Sequence, residues 1–444
     1  MKINLLIIRL QILIIFTILM LGIYAIYCGI ALQADGSFFL LTILDTQKFL
    51  HVNNSRFFTT LVTQTPVLLA IKFGLKSINA FIYLYSFGLV AIPLLFWMVS
   101  LIILRGSGLF WLLLLAFSTT YLSSGLFAIG EFHLCYSLCA ISTALLLRNR
   151  FDYLAAVLLI ITALLLTLSY EAMLFLGPLL FAMCMIRVIK MPKNFYPLQT
   201  LLSIAAFLFA VSSAISAWSI IYPRDPAVLG NAMQLYWLIE SKHFIYLVGM
   251  IILITVALTN PVKKINYWVA FSAIFASIIY IANSNFWNPA GLHYQIRSVS
   301  GLCLFVIFFA GASYKLFPSI FCKFLTLQNT NTAGFIVLLV YVSLAAAFVF
   351  KLSAFYAWAQ NFEKEAISIS TFTPINRSNI YFTNQKPSEF EAGWTNPCMS
   401  ILLRGNAKWV LLNNTNYGGW QPFDPTKISA NPLERYKKVA IFYN

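Results

Sequence analysis

About a dozen stretches of roughly 20 apolar residues follow one another between Leu5 and Phe350. A helix of that length crosses the hydrocarbon core of a bilayer, where backbone polar groups must be satisfied within the chain itself. The composition agrees, with 61% hydrophobic residues, 9% charged residues and a mean hydropathy of +0.84. The sequence therefore predicts an α-helical polytopic membrane protein and excludes a soluble globular fold for residues 1–350.

The last part of the chain, residues 351–444, has a different pattern. Its apolar runs shorten to strand length, as in "NIYF" and "KWVLLNN", and Gly, Pro, Asn and charged residues separate them. This pattern predicts a small soluble α/β or α+β domain that follows a transmembrane domain of residues 1–350.

The distribution of Lys and Arg predicts the topology. The net charge is +16, and the basic residues gather in short loops such as "RNR" at 148–150 and "RVIKMPK" at 187–193. Such loops stay in the cytoplasm, so the charge indicates membrane topology and not a nucleic-acid partner. With these loops inside, the sequence predicts about 11 spans, a cytoplasmic N-terminus and an outer C-terminal domain. The predicted spans are 8–31, 80–104, 108–127, 132–147, 152–170, 172–188, 197–221, 244–260, 266–283, 298–314 and 332–350.

One apolar stretch, "TTLVTQTPVLLAIKFGLKS" at 59–77, does not fit as a span. If it crossed the membrane, the basic loops on either side of it could not all lie inside. Its Gln64, Pro66, Lys72 and Lys76 suit an interfacial helix. We therefore expect one long outer loop, residues 32–79, with its second half along the membrane surface.

In the same predicted topology, most of the acidic residues before residue 351 lie on one face of the membrane. Six of the seven that precede residue 351 fall on the outer face, although acids contribute little to orientation. An acidic cluster beneath an outer soluble domain is typical of an outward-facing active site. The six residues are Asp35, Asp45, Glu131, Glu171, Asp225 and Glu240.

Four of these acids are candidates for function, and each has a structural alternative. Asp35 in "ADGS" is either a catalytic acid or a turn residue, because Asp-Gly favours turns. Asp45, three residues before Lys48, suits a surface pair on a helix as well as a binding role. Glu131 and Glu171 interrupt apolar segments at short outer turns, where a carboxylate either has a structural partner or faces a polar cavity.

The few outer basic residues are the candidate anion ligands. Arg224 stands beside Asp225 in "YPRDP", and His293 and Arg297 are four apart on one helical face. A guanidinium is suited to phosphate oxygens, but a snorkelling Arg at the interface explains Arg297 equally well. His293 is more simply a structural residue. The sequence contains no phosphate-binding loop, HExxH, CxxC pair or GxSxG elbow.

The layout resembles the polytopic glycosyltransferases of the GT-C fold, which include bacterial cell-envelope and polysaccharide enzymes of the inner membrane. The resemblance rests on architecture: a first helix, a long outer loop with an early acid, many spans with short outer turns and an outer soluble domain. It implies that Asp35 and Glu131 are catalytic and that Arg297 and Arg224 bind a lipid phosphate, with His293, Glu171 and Asp45 as further substrate-binding candidates. The paired acids that many members carry in the first loop are missing here.

The implied reaction is transfer of a sugar from a polyprenyl-phosphate-linked donor to a glycan, lipid or protein acceptor at the periplasmic or extracellular face, with inversion. One carboxylate would act as general base on the acceptor hydroxyl, and an Arg would stabilise the phosphate that leaves. Glu131 would either orient the acceptor or bind a divalent cation. Two alternatives stay open: a transporter or flippase for a lipid-linked or anionic solute, and a non-catalytic assembly protein.

Overall fold

The computed structural model describes residues 2–33, 35–51, 54–124, 131–192, 195–223, 289–316 and 330–368, with short pieces at 375–376, 390, 396–404, 412–413 and 439–442. Five helices in this part of the chain are long and apolar enough to cross a membrane, in agreement with the expected helical membrane protein. They are Leu5–Tyr27, Ile78–Ile103, Met173–Lys190, Tyr196–Ile221 and Gly334–Lys364. Of the predicted spans, 244–260 and 266–283 lie outside the described residues.

The described helices follow the apolar runs of the sequence. They are α1 Lys2–Tyr27, α2 Asp35–Thr46, α3 Phe57–Lys72, α4 Ile78–Ser86, α5 Ile92–Ile103, α6 Leu109–Phe117, α7 Glu131–Leu147, α8 Tyr153–Leu166, α9 Met173–Lys190, α10 Tyr196–Ile221, α11 Pro289–Leu316, α12 Thr330–Ser368 and α13 Asn396–Arg404. Three short 3-10 turns accompany them at Ile30–Leu32, Asn54–Arg56 and Val439–Phe442. Two strands of two residues each, β1 Ile375–Asn376 and β2 Leu412–Asn413, pair in parallel.

A π-helical turn at Phe87–Ala91 joins α4 to α5 in one long helix. Pro93 explains the wide turn, because proline has no N–H to donate and its ring would clash with the carbonyl of Leu89, four residues earlier. A wider turn relieves this conflict without ending the helix.

A second π-helical turn, Ser118–Leu122, follows α6 and is buried throughout. Its hydroxyl groups bond back to the helix: Ser118 donates to the Leu114 carbonyl at 2.7 Å and Thr119 donates to the Leu115 carbonyl at 2.9 Å. Tyr121 donates to the Val90 carbonyl at 3.4 Å, so the two wide turns are in contact. Local bonding of this kind lets a polar run lie inside an apolar bundle.

Helix α3 is packed into the bundle along one side. Its Thr59, Thr60, Thr63, Gln64 and Val67 are buried, and the carbonyl oxygen of Thr63 lies 1.9 Å from where a Cβ on Gly88 would be. Only glycine permits two helices to approach this closely. The helix belongs to the shorter apolar helices, so its expected position at the outer surface stays a prediction.

Basic side chains gather at one end of the bundle, which we call the basic end. Arg187 on α9 donates to the carbonyls of Leu146 and Arg148, with 3.1 Å to the latter, and Lys190 donates to that of Leu316. Lys315 on α11 donates to the Asn149 side chain. Arg187 and Lys190 thereby satisfy backbone carbonyls at helix ends, which have no partner within their own helix. The positive-inside rule predicts that this end faces the cytoplasm.

The opposite end brings the first loop, the end of α12 and the C-terminal pieces together. Tyr24 and Tyr27 of α1 bond to Ser353 and Tyr356 of α12 at 2.7 and 3.3 Å. Helix α12 continues through the expected domain boundary at residue 351 to Ser368. The reason is visible in its aromatic residues, since Phe355 and Phe362 are buried and the half-buried Trp358 packs beside them at helical spacing.

Candidate functional site

Three aromatic residues form a buried group at the opposite end of the bundle. Phe132 and Tyr136 lie one turn apart on α7, and Tyr170 belongs to the turn between α8 and α9. Their ring centroids are 5.7 Å apart for Phe132 and Tyr136, 6.1 Å for Phe132 and Tyr170, and 6.3 Å for Tyr136 and Tyr170. We call these three residues the aromatic cluster. Two of its three ring pairs are edge-to-face, the geometry that aromatic quadrupoles favour.

Arg297 of α11 lies against this cluster and is only 6% exposed. Its guanidinium carbon is 5.3 Å from the centroid of the Phe132 ring, and the Tyr136 hydroxyl donates to the Arg297 carbonyl at 2.6 Å. One turn further along α11, Gly301 leaves room for that hydroxyl, which would lie 2.6 Å from an added Cβ. A snorkelling anchor would reach outward to water, whereas Arg297 is held inside the bundle.

Arg56 contacts the other side of the cluster and pairs with Glu171. Its Nε lies 3.0 Å from Oε1 and 3.2 Å from Oε2 of Glu171, and its guanidinium carbon lies 4.9 Å from the Tyr170 ring centroid. Ser55 also donates to Glu171, at 3.2 Å. The two charged side chains are 15% and 16% exposed. Glu171 therefore has a close cationic partner. This supports the structural role that the sequence offered for Glu171 beside a functional one.

The pKa of Glu171 lies below its ordinary value. Burial alone would raise the pKa, because it disfavours the charged carboxylate. The Arg56 charge and the hydrogen bonds from Arg56 and Ser55 lower it, and together they outweigh burial. Glu171 is consequently a carboxylate at neutral pH, and a general acid at this position is not expected.

His133 follows Phe132 on α7 and connects the cluster to the polar turn after α6. Its Nε2 is hydrogen-bonded to the Ser124 hydroxyl at 3.3 Å, and its ring centroid lies 4.9 Å from that of Tyr121. Tyr121 in turn contacts Phe348 of α12, with centroids 6.5 Å apart. A polar strip thus runs along the inside of the bundle, formed by Ser118, Thr119, Thr120, Tyr121, Ser123, Ser124 and His133.

Lys351 is a second buried cation at this end, 8% exposed. It is three residues beyond Phe348 on α12 and therefore shares the face that Phe348 turns towards Tyr121. A charged residue on the inner face of a membrane bundle is costly and is a functional candidate by default.

Asp35 is the first residue of α2 and is half-buried. The turn before it is fixed, since Ala31 N donates to the Ser86 hydroxyl at 3.2 Å and the Ala31 carbonyl lies 1.9 Å from an added Cβ on Gly36. The chain just before Asp35 contacts α4 through the bond of Ala31 to Ser86, and Arg297 contacts α7 through its bond to Tyr136. Asp45 lies near the end of α2 and is also half-buried.

The other predicted site residues fall outside the described part of the structure, namely Arg224 as a whole and the side chains of Glu131 and His293. Glu131 is the first residue of α7, directly before Phe132. Sequence reasoning missed Arg56, Tyr136, Tyr170 and Lys351. The available signals were weak: a single Arg before an apolar helix, and a Lys inside the apolar stripe of α12.

Comparisons of the chain with protein-family models, with curated proteins and with solved structures found no match. Among the described residues, no group of three or more His, Cys, Asp or Glu side chains is arranged to hold a metal ion. The site is therefore characterised by its own geometry: a buried guanidinium on an aromatic cluster, bordered by a paired Arg and Glu.

Proposed function

We propose that this chain is an integral membrane glycosyltransferase of the GT-C type with about 11 spans, acting at the outer face of a cell membrane. It would transfer a sugar from a polyprenyl-phosphate-linked donor to a glycan, lipid or protein acceptor. The observation that carries the proposal is Arg297, a guanidinium 6% exposed that lies over Phe132 at the bundle end opposite the basic loops.

The chemistry needs a cation for the phosphate and a base for the acceptor. Arg297 presents a planar group with several donors, which matches phosphate oxygens and stabilises the charge that the leaving phosphate develops. Asp35 would remove the proton from the acceptor hydroxyl while the anomeric carbon inverts. Glu131, one residue before Phe132 in the sequence, would serve as acceptor ligand or as ligand of a divalent cation.

The test is the dependence of transfer on donor concentration for Arg297→Lys, with purified protein in nanodiscs and labelled polyprenyl-phosphate sugars. Lys keeps the charge but lacks the two-pronged guanidinium, so donor recognition should weaken by about 1.5–3 kcal/mol, or roughly tenfold to a hundredfold. Arg187→Lys is the matched control, because the hydrogen bonds described for Arg187 all go to backbone carbonyls at the basic end. Equal donor dependence in the two variants would reject the phosphate role of Arg297.

A transporter or flippase for a lipid-linked or anionic solute is the second candidate. The polar strip that follows α6 and includes His133 favours it, because buried hydroxyls and a histidine inside a bundle can line a path for a polar solute. Flux of a labelled polyprenyl-phosphate sugar across liposomes, without sugar transfer, would support this function in place of the first.

A further inference from the structure

We propose that Arg56 and Glu171 are positioning residues whose ion pair holds Tyr170 and Tyr136 in the arrangement that fixes the Arg297 segment of α11. The inference rests on the proposed function for the identity of the ligand, a polyprenyl phosphate. It assigns a role in ligand binding to two residues that need not touch the ligand.

The first step is the attachment of α3 to the turn between α8 and α9. Besides the ion pair, Phe58 N donates to the Leu168 carbonyl at 2.9 Å, and the Thr59 hydroxyl donates to the Ser169 carbonyl at 2.9 Å. Four residues of the first loop thus bond to three residues of this turn, with Ser55, Arg56, Phe58 and Thr59 on one side and Leu168, Ser169 and Glu171 on the other. The position of Tyr170, between Ser169 and Glu171, is therefore set by the first loop.

The second step leads from the turn to Arg297 through direct contacts. The Arg56 guanidinium covers the Tyr170 ring at 4.9 Å, Tyr170 meets Tyr136 edge-on at 6.3 Å, and Tyr136 donates to the Arg297 carbonyl at 2.6 Å. Tyr136 is fully buried and its hydroxyl fits the space left by Gly301. Because interiors are close-packed, a displaced Tyr170 displaces Tyr136 and, with it, the backbone of Arg297.

The third step concerns charge. Arg56 and Arg297 flank the same aromatic cluster, and two cations there would both attract an anion. The Glu171 carboxylate neutralises Arg56 at 3.0 Å and assigns the anion to Arg297. A pair that only stabilised the fold would have no effect on ligand affinity in the folded fraction.

The experiment measures binding of radiolabelled polyprenyl phosphate, without sugar, to the full chain in nanodiscs. Arg56→Gln should weaken binding about tenfold, a typical coupling for residues in contact. Glu171→Gln should weaken binding less, because the released Arg56 charge attracts the anion and offsets part of the loss. The exchanged pair Arg56→Glu with Glu171→Arg should recover to within about threefold of wild type. Arg148→Gln is the control, since it breaks an ion pair at the basic end, Arg148 to Asp152 at 3.2 Å, which is more exposed and far from the aromatic cluster.

A second readout does not depend on any ligand. Cys135, next to Tyr136, is fully buried and accepts a hydrogen bond from Ser169 at 3.4 Å. In a chain whose other six cysteines are replaced, its reaction with a small water-soluble thiosulfonate should accelerate in both single variants and slow again in the exchanged pair.

The outcomes are distinct. Weaker binding and faster thiol reaction in the single variants, both reversed by the exchange, support the proposal. Unchanged affinity in the folded single variants, or no binding of polyprenyl phosphate by wild type, overturns it. Binding without sugar transfer by wild type rejects the glycosyltransferase function while leaving the positioning role supported.

Discussion

Replacing Gly88 by Ala tests whether α3 is packed against the long α4–α5 helix as tightly as the geometry indicates. Without a close neighbour, Gly→Ala inside a helix stabilises by about 1 kcal/mol, because alanine has the higher helix propensity. At Gly88 the added Cβ would lie 1.9 Å from the carbonyl oxygen, 2.9 Å from the carbonyl carbon and 3.3 Å from the Cα of Thr63. Whether Gly88→Ala lowers or raises the stability of the protein therefore shows whether helix packing or helix propensity dominates at this position.

The expected magnitude follows from what must move. A carbon and an oxygen approach to about 3.3 Å, so the two helices must separate by more than 1 Å. The obstacle is backbone, which cannot rotate away, and overpacking costs reach about 3 kcal/mol. After the gain in helix propensity, we expect a net destabilisation of about 2 kcal/mol.

The assay is thermal unfolding of purified protein in one detergent, with Gly22→Ala as the control. An added Cβ on Gly22 meets Leu94 Cδ1 at 2.6 Å, but that atom is the far end of a flexible side chain that can change rotamer. The control should unfold close to the wild-type temperature, and Gly88→Ala should unfold well below it. Equal or higher stability for Gly88→Ala would refute the close packing of α3.

Three further predictions concern catalysis, pH and topology. Asp35→Asn should lower sugar transfer on the order of a hundredfold in steady-state assays while unfolding changes little, and Asp45→Asn should be mild; full activity of Asp35→Asn would leave Asp35 as a turn residue. The pKa of Glu171 is depressed in the folded state, so its pairing stabilises the protein fully above the unfolded pKa of about 4.3. This stabilisation is lost as the pH falls through the folded pKa. Unfolding temperatures measured from pH 6 to pH 3 should therefore show a smaller acid-induced decrease for Glu171→Gln than for wild type. An impermeant thiol reagent added to cells should label Lys76→Cys from outside and Arg150→Cys only after permeabilisation, and the reverse would invert the topology.

Parts of the candidate site could be predicted from local sequence, and other parts could not. Arg297 stood out because a cation at the start of an apolar segment is rare, and the structure holds it on an aromatic cluster. Glu171 stood out because an acid interrupts an apolar segment there, but the sequence did not indicate its partner. Arg56 lies 115 residues away along the chain, in a loop where no periodicity indicates a contact.

The sequence alone determined the class of protein and the position of most of its described helices. Apolar runs of span length have few alternatives in a bilayer, because each backbone polar group must be bonded within its own helix. The tertiary structure alone decided which helix ends meet. The Arg56–Glu171 pair, the bond from Tyr136 to the Arg297 carbonyl and the inward face of Lys351 depend on packing between distant segments, and that packing is set by close approaches such as Thr63 to Gly88. Within a bilayer apolar burial does not distinguish one helix pair from another, so shape and a few polar contacts decide the neighbours.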